Sequence, residues 1–106
     1  MRRESEKLVE RTLVKLVKEA GGMCIKLQAD YQGGIPDRLC LSPDGRAAFV
    51  ETKTTGEKPR PLQRYYHEKL RSLGFRVEVI DTVEKAKRFV SDFTQAGDTD
   101  GTMRKP

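Results

Sequence analysis

Apolar residues near the start of the chain recur with helical spacing. Leu8, Val9, Leu13, Leu16, Val17 and Ala20 fall on one stripe of a helix over residues 5–20, and charged residues fill the opposite face. Ser5 precedes that stripe as an N-cap, and Gly21-Gly22 stops it. The pattern then shortens. Met23-Cys24-Ile25-Lys26-Leu27 reads as a strand, followed by a glycine-bearing loop from Gln28 to Pro36. Arg38-Leu39-Cys40-Leu41 and Ala47-Ala48-Phe49-Val50-Glu51-Thr52-Lys53 are two further strands. The turn-forming run Ser42-Pro43-Asp44-Gly45-Arg46 between them predicts an antiparallel hairpin. A polar, flexible loop is expected over 54–60. Pro61 suits the first turn of a helix that reaches Leu73, with Gly74 as its stop. Phe75 to Ile80 predicts a fourth strand, and Thr82 to Phe93 a last helix.

The predicted order is α-β-β-β-α-β-α, an α/β fold with a mixed central sheet flanked by helices. The strand after the second helix should join the sheet in parallel, through a right-handed crossover. A single domain over residues 1–94 accounts for all seven elements. The tail over 95–106 is polar and is expected to be disordered.

Composition narrows the partners. The 106 residues carry a formal net charge of +5 with 35% charged residues, a balance that favours a polyanion such as nucleic acid. No apolar run approaches the ~20 residues that a membrane span needs. The charged N-terminus leads into no signal core, which points to the cytoplasm. Cys24 and Cys40 stand apart without zinc-ligand spacing, and a single histidine, His67, cannot complete a zinc set with them. They read as reduced thiols.

The stretch with chemical content runs from Gly34-Ile35-Pro36-Asp37 to Glu51-Thr52-Lys53. Alternation along a strand puts Glu51 and Lys53 on one face and Thr52 on the other. Asp37 begins the preceding strand, so the hairpin can bring its carboxylate near that of Glu51. Two hard oxygen ligands describe a Mg²⁺ or Mn²⁺ site, and a lysine beside it can orient water or offset developing charge. Glu-x-Lys alone occurs by chance in most proteins as a surface charge pair; the upstream Pro-Asp, the spacing and the hairpin give it weight.

Pro36-Asp37 followed by Glu51-Thr52-Lys53 resembles the PD-(D/E)xK nuclease superfamily. With Gly34-Ile35-Pro36-Asp37-Arg38-Leu39, Phe49-Val50-Glu51-Thr52-Lys53, Arg60-Pro61-Leu62-Gln63 and Leu73-Gly74-Phe75-Arg76-Val77, the chain is similar to a stand-alone VRR-NUC domain of the phage type. That resemblance implies a restriction-endonuclease-like core and a metal-dependent endonuclease acting on DNA. It implies catalytic roles for Asp37, Glu51 and Lys53, and a metal-ligating glutamate on the first helix. Glu10 matches that position, with Glu6 one turn earlier as a competitor. It also singles out Gln63, which could hold a water or phosphate oxygen or simply cap its helix. Family members commonly carry a longer aliphatic residue where Thr52 stands. The Thr52 side chain is expected to face away from the metal, with little consequence for activity.

Lys58, Arg60, Arg64 and Arg38 lie near the motif and are candidate phosphate contacts, although charged loops are often only solvated. Tyr65 and Tyr66 read as packing residues rather than base-stacking ones. Nothing resembles a base-reading module, so selectivity is expected for DNA shape. A homodimer would present two sites related by a two-fold axis, suited to a Holliday junction or other branched DNA. The alternatives are a DNA-binding module that does not cut, and a sequence-specific restriction-type nuclease on the same scaffold.

Overall fold

The computed structural model describes residues 2–28 and 33–95. Its elements are α1 (Glu6–Glu19), β1 (Met23–Lys26), β2 (Arg38–Leu41), β3 (Ala47–Thr52), α2 (Pro61–Ser72), β4 (Arg76–Ile80) and α3 (Val83–Gln95). All seven predicted elements are present in the predicted order. The tail beyond Gln95 lies outside the described residues, as does part of the loop before Gly33.

The four strands form one sheet in the order β1-β2-β3-β4. β1 and β2 pair antiparallel with Cys24 opposite Cys40, and the β2–β3 hairpin places Arg38 opposite Val50. β4 lies parallel to β3, reached through the α2 crossover, with Glu51 opposite Val79. Lys53 follows β3 directly, and its amide donates to the Ile80 carbonyl at 2.9 Å. The mixed sheet anticipated from the pattern is therefore the one formed.

Local chemistry explains the boundaries. Ser5 Oγ accepts from the Leu8 amide at 3.1 Å and caps α1. Gly21 takes φ +90°, a left-handed turn that ends the helix at little cost for a residue without Cβ. Pro61 opens α2, where a missing N–H loses nothing.

One face of the sheet is covered by α1 and α3. There Val9, Leu13 and Val17 meet Ala86, Phe89, Val90 and Phe93 over Cys40, Ala48, Val50 and Ile80. Full burial of such side chains contributes ~1.5–3 kcal/mol each. Arg46 and Arg76 close this layer at its rim. The Arg76 guanidinium lies 5.1 Å from the Phe89 ring centroid and pairs with Glu78 and Asp92, both at 2.9 Å. The other face carries α2, and what it buries there is polar.

Candidate active site

β3 splits its side chains between the two faces. Val50 enters the apolar layer, whereas Glu51 turns toward α2 and is only 5% exposed. α2 answers it with two side chains one turn apart, Gln63 and His67, both buried. Gln63 Nε2 donates to Glu51 Oε2 at 3.1 Å, while Gln63 Oε1 accepts from the Arg60 amide at 2.8 Å. One residue thus caps the helix and holds the carboxylate. Lys53 Nζ stands 3.6 Å from the same Oε2. Among the described residues Glu51 Oε1 is buried without a hydrogen-bond partner, and His67 Nε2, 4.0 Å away, is in the same condition.

Asp37 sits just before β2. Its carboxylate accepts from the Thr52 hydroxyl at 2.8 Å and from the Thr52 amide at 3.3 Å. Burial, and next the charge of Glu51, push its carboxyl up to about 6 from 3.8; the Thr52 hydroxyl bond opposes them. The two carboxylates are therefore close enough to repel. Thr52 differs from expectation. It is fully buried, and its hydroxyl reaches the Asp37 carboxylate. Asp37 precedes the paired residues of β2, so strand alternation does not fix where its side chain goes.

The approach of α2 depends on Gly34. A Cβ at this position would overlap the Tyr66 ring and crowd Leu62, so the glycine lets the Gly34-Ile35-Pro36 segment lie against the helix ahead of Asp37. Tyr66 packs as the sequence suggested. Tyr65 meets it edge-on at 5.1 Å between ring centroids, yet remains 59% exposed.

The loop after Lys53, expected to be flexible, is tied down at its start. Thr55 exchanges two bonds with Glu4, its amide donating to the Glu4 carbonyl at 3.0 Å and its Oγ1 accepting from the Glu4 amide at 2.9 Å. The Glu6 amide donates to Thr54 Oγ1 at 3.1 Å, and Thr55 Oγ1 donates to the Asp81 carbonyl at 2.8 Å. This clasp sets the start of α1 beside Lys53. Partial burial raises the Glu6 carboxyl; Lys53 opposes that shift, and Glu51 adds to it. Glu10, one turn on, is engaged elsewhere: Arg38 Nε donates to it at 2.9 Å and Lys26 Nζ at 3.4 Å. Arg38 also donates to the Cys24 carbonyl at 3.3 Å.

The structure thus brings Asp37, Glu51, Lys53 and Gln63 together, with Glu6 within electrostatic reach and Glu10 paired to Arg38. Of the candidate phosphate contacts, Lys58, Arg60 and Arg64 are exposed on the loop and helix beyond Lys53. Arg60 also donates to the Gly33 carbonyl at 3.0 Å, and Arg64 to the Pro59 carbonyl at 3.1 Å. Sequence reasoning passed over His67 and misjudged Thr52. A histidine four residues after Gln63 was the available signal for the first.

Among the described residues, no three His, Cys, Asp or Glu side chains stand together as a ready metal cluster. The donors that are present nevertheless fit a hard divalent cation. Two carboxylates are held against mutual repulsion, and one buried carboxylate oxygen has no partner.

The VRR-NUC domain family model matches residues 1–84. The chain belongs to the VRR-NUC family. It is 42% identical over 82 residues to "Putative nuclease p44" of Acyrthosiphon pisum secondary endosymbiont phage 1, covering 77% of this chain and 88% of that protein. A solved structure described as a VRR_NUC domain superposes with a TM-score of 0.76 at 27% identity, over 85% of this chain and 99% of the other. The fold is that of a VRR-NUC nuclease domain. Among the described residues, no helix is long and apolar enough to cross a membrane.

Proposed function

We propose that this VRR-NUC domain is a metal-dependent DNA endonuclease whose centre is built by Asp37, Glu51 and Lys53. The observation that carries this reading is the buried, unpartnered Oε1 of Glu51, beside a second carboxylate and a lysine. Burying a carboxylate in that state is unfavourable unless something completes it. Mg²⁺ or Mn²⁺ would be held by Asp37 and Glu51, with a glutamate of α1 as third ligand, and would supply Lewis-acid polarisation of the scissile phosphate and activation of water.

The chain's own residues do the rest. Gln63 fixes Glu51, and Thr52 fixes Asp37, so neither carboxylate has to reorganise when substrate arrives. Lys53, with its side chain only 13% exposed, keeps a positive charge where negative charge develops on the phosphate, and can orient the attacking water. Glu6 is the better placed of the two helix glutamates, because Lys53 and Glu51 both act on its carboxyl. Glu10 would first have to leave Arg38 and Lys26. Lys58, Arg60 and Arg64 would contact phosphates beyond the cut.

We further infer a homodimer acting on branched DNA, a reading supported by exposed Leu62, Tyr65, Leu73 and Phe75, apolar or aromatic side chains on α2 and just after it. The test uses labelled four-way junction, flap, single-stranded and linear duplex DNA with Mg²⁺, Mn²⁺ or EDTA. Lys53→Ala runs alongside to exclude a contaminating nuclease. Metal-dependent cutting, strongest on the junction and lost in the variant, is expected. Binding without cutting under every metal would overturn the reading in favour of a DNA-binding module.

A further inference from the structure

Two buried side-chain polar atoms lack a hydrogen-bond partner among the described residues, Glu51 Oε1 and His67 Nε2, and they lie 4.0 Å apart. That gap is too wide for a direct hydrogen bond, yet one water bonded to both atoms would fit it. His67 is 2% exposed and sits one turn after Gln63, so the two project from the same face of α2. Gln63 already donates to Oε2 of the same carboxylate. Lys53, a further neighbour of Glu51, is purely a donor and offers His67 Nε2 nothing as an acceptor.

An apolar residue would fill the His67 position without a desolvation cost, whereas a buried imidazole nitrogen needs a partner. On these grounds we infer that His67 is a positioning residue for Glu51. Its Nε2–H donates through one buried water to one lone pair of Oε1, leaving the other lone pair open to a metal, so that α2 grips both oxygens of the carboxylate. A cleft lined by Arg64, His67 and Arg71 gives water a route to the ring. The importance of this contact for cleavage rests on Glu51 belonging to the catalytic centre; the contact itself does not.

His67 is the single histidine of the chain, so an imidazole ¹⁵N spectrum of the full, metal-free protein contains its signals alone. The expected result is a proton on Nε2, slow to exchange with solvent, whose shift changes in Glu51→Gln. A bare Nε2, or a spectrum that Glu51→Gln leaves unmoved, would overturn the inference. The functional arm measures Mn²⁺ affinity by electron paramagnetic resonance in His67→Leu, His67→Gln and His67→Asn, each first shown to melt as the parent does. Loss of a partner that orients a ligand weakens metal affinity by about 10-fold or more. That loss is expected for Leu and for Asn, whose amide is too short, while Gln, whose amide nitrogen matches Nε2, recovers most of it. Unchanged affinity in His67→Leu would overturn the positioning role. A wild-type chain that binds no Mn²⁺ at all would instead sink the metal centre, and the ¹⁵N spectrum would still decide the contact.

Discussion

The face of the sheet under α1 and α3 and the face under α2 bury opposite chemistry from the same strand. Beneath α1 and α3, Val50 joins seven other aliphatic or aromatic side chains and three small ones, Cys40, Ala48 and Ala86, in a continuous apolar layer. Beneath α2, Glu51, Gln63 and His67 are each no more than 5% exposed, and two of their polar atoms lack partners among the described residues. The first face is what a stable fold requires. The second is a liability for stability that makes sense as a preorganised site. Changes on the two faces should therefore separate activity from stability.

Lys53→Ala and Asp37→Ala remove groups of the polar face, and cutting should fall by about 10³-fold or more with the circular dichroism spectrum unchanged. Retained cutting in either would show that the polar face is not the site of cleavage. Leu13→Ala, on the apolar face, should cost about 3 kcal/mol in urea unfolding and leave the cutting rate per folded molecule as it was. Thr52→Val lies between the two. It keeps shape but removes the hydroxyl donor to Asp37, and should cost about 1 kcal/mol of stability together with a several-fold loss of cutting. The smallest effect is on pH. The Asp37 carboxyl rises from 3.8 to about 6, so the folded chain holds that proton more tightly than the unfolded one. Stability should then decline as pH rises through this window and level off above it. In EDTA, the melting temperature of the wild type should drop by a few degrees relative to Asp37→Asn between about pH 4 and pH 7. A parallel course for the two would show that Asp37 is not strained by its neighbours.

All seven elements were legible because apolar periodicity and the turn residues agree at every step. The hairpin, the crossover and the parallel β4 followed from loop chemistry and handedness. Asp37, Glu51, Lys53 and Gln63 were legible as a motif, and strand alternation already placed Glu51 and Lys53 together. What stayed hidden depends on distances the chain does not encode locally. The clasp joins Glu4 to Thr55 across 51 positions, and no short-range pattern reports it. Thr52 was judged by alternation, which does not govern an Asp37 lying outside the ladder. His67 reads in isolation as a core residue of an amphipathic helix; only the strand opposite gives it a partner. Glu6 and Glu10 differ by one helical turn, too little for a wheel to separate them, and the partners of Glu10 became visible only in three dimensions.

Glu51→Gln decides whether the buried carboxylate serves cleavage, with melting and Mg²⁺-dependent cutting measured on the same preparation. The amide keeps the shape and its carbonyl can still accept from Gln63, so what is removed is the charge and one acceptor oxygen. The melting temperature should stay within a few degrees of the wild type while cutting falls by about 10³-fold or more. A folded Glu51→Gln protein that cuts like the wild type would contradict it.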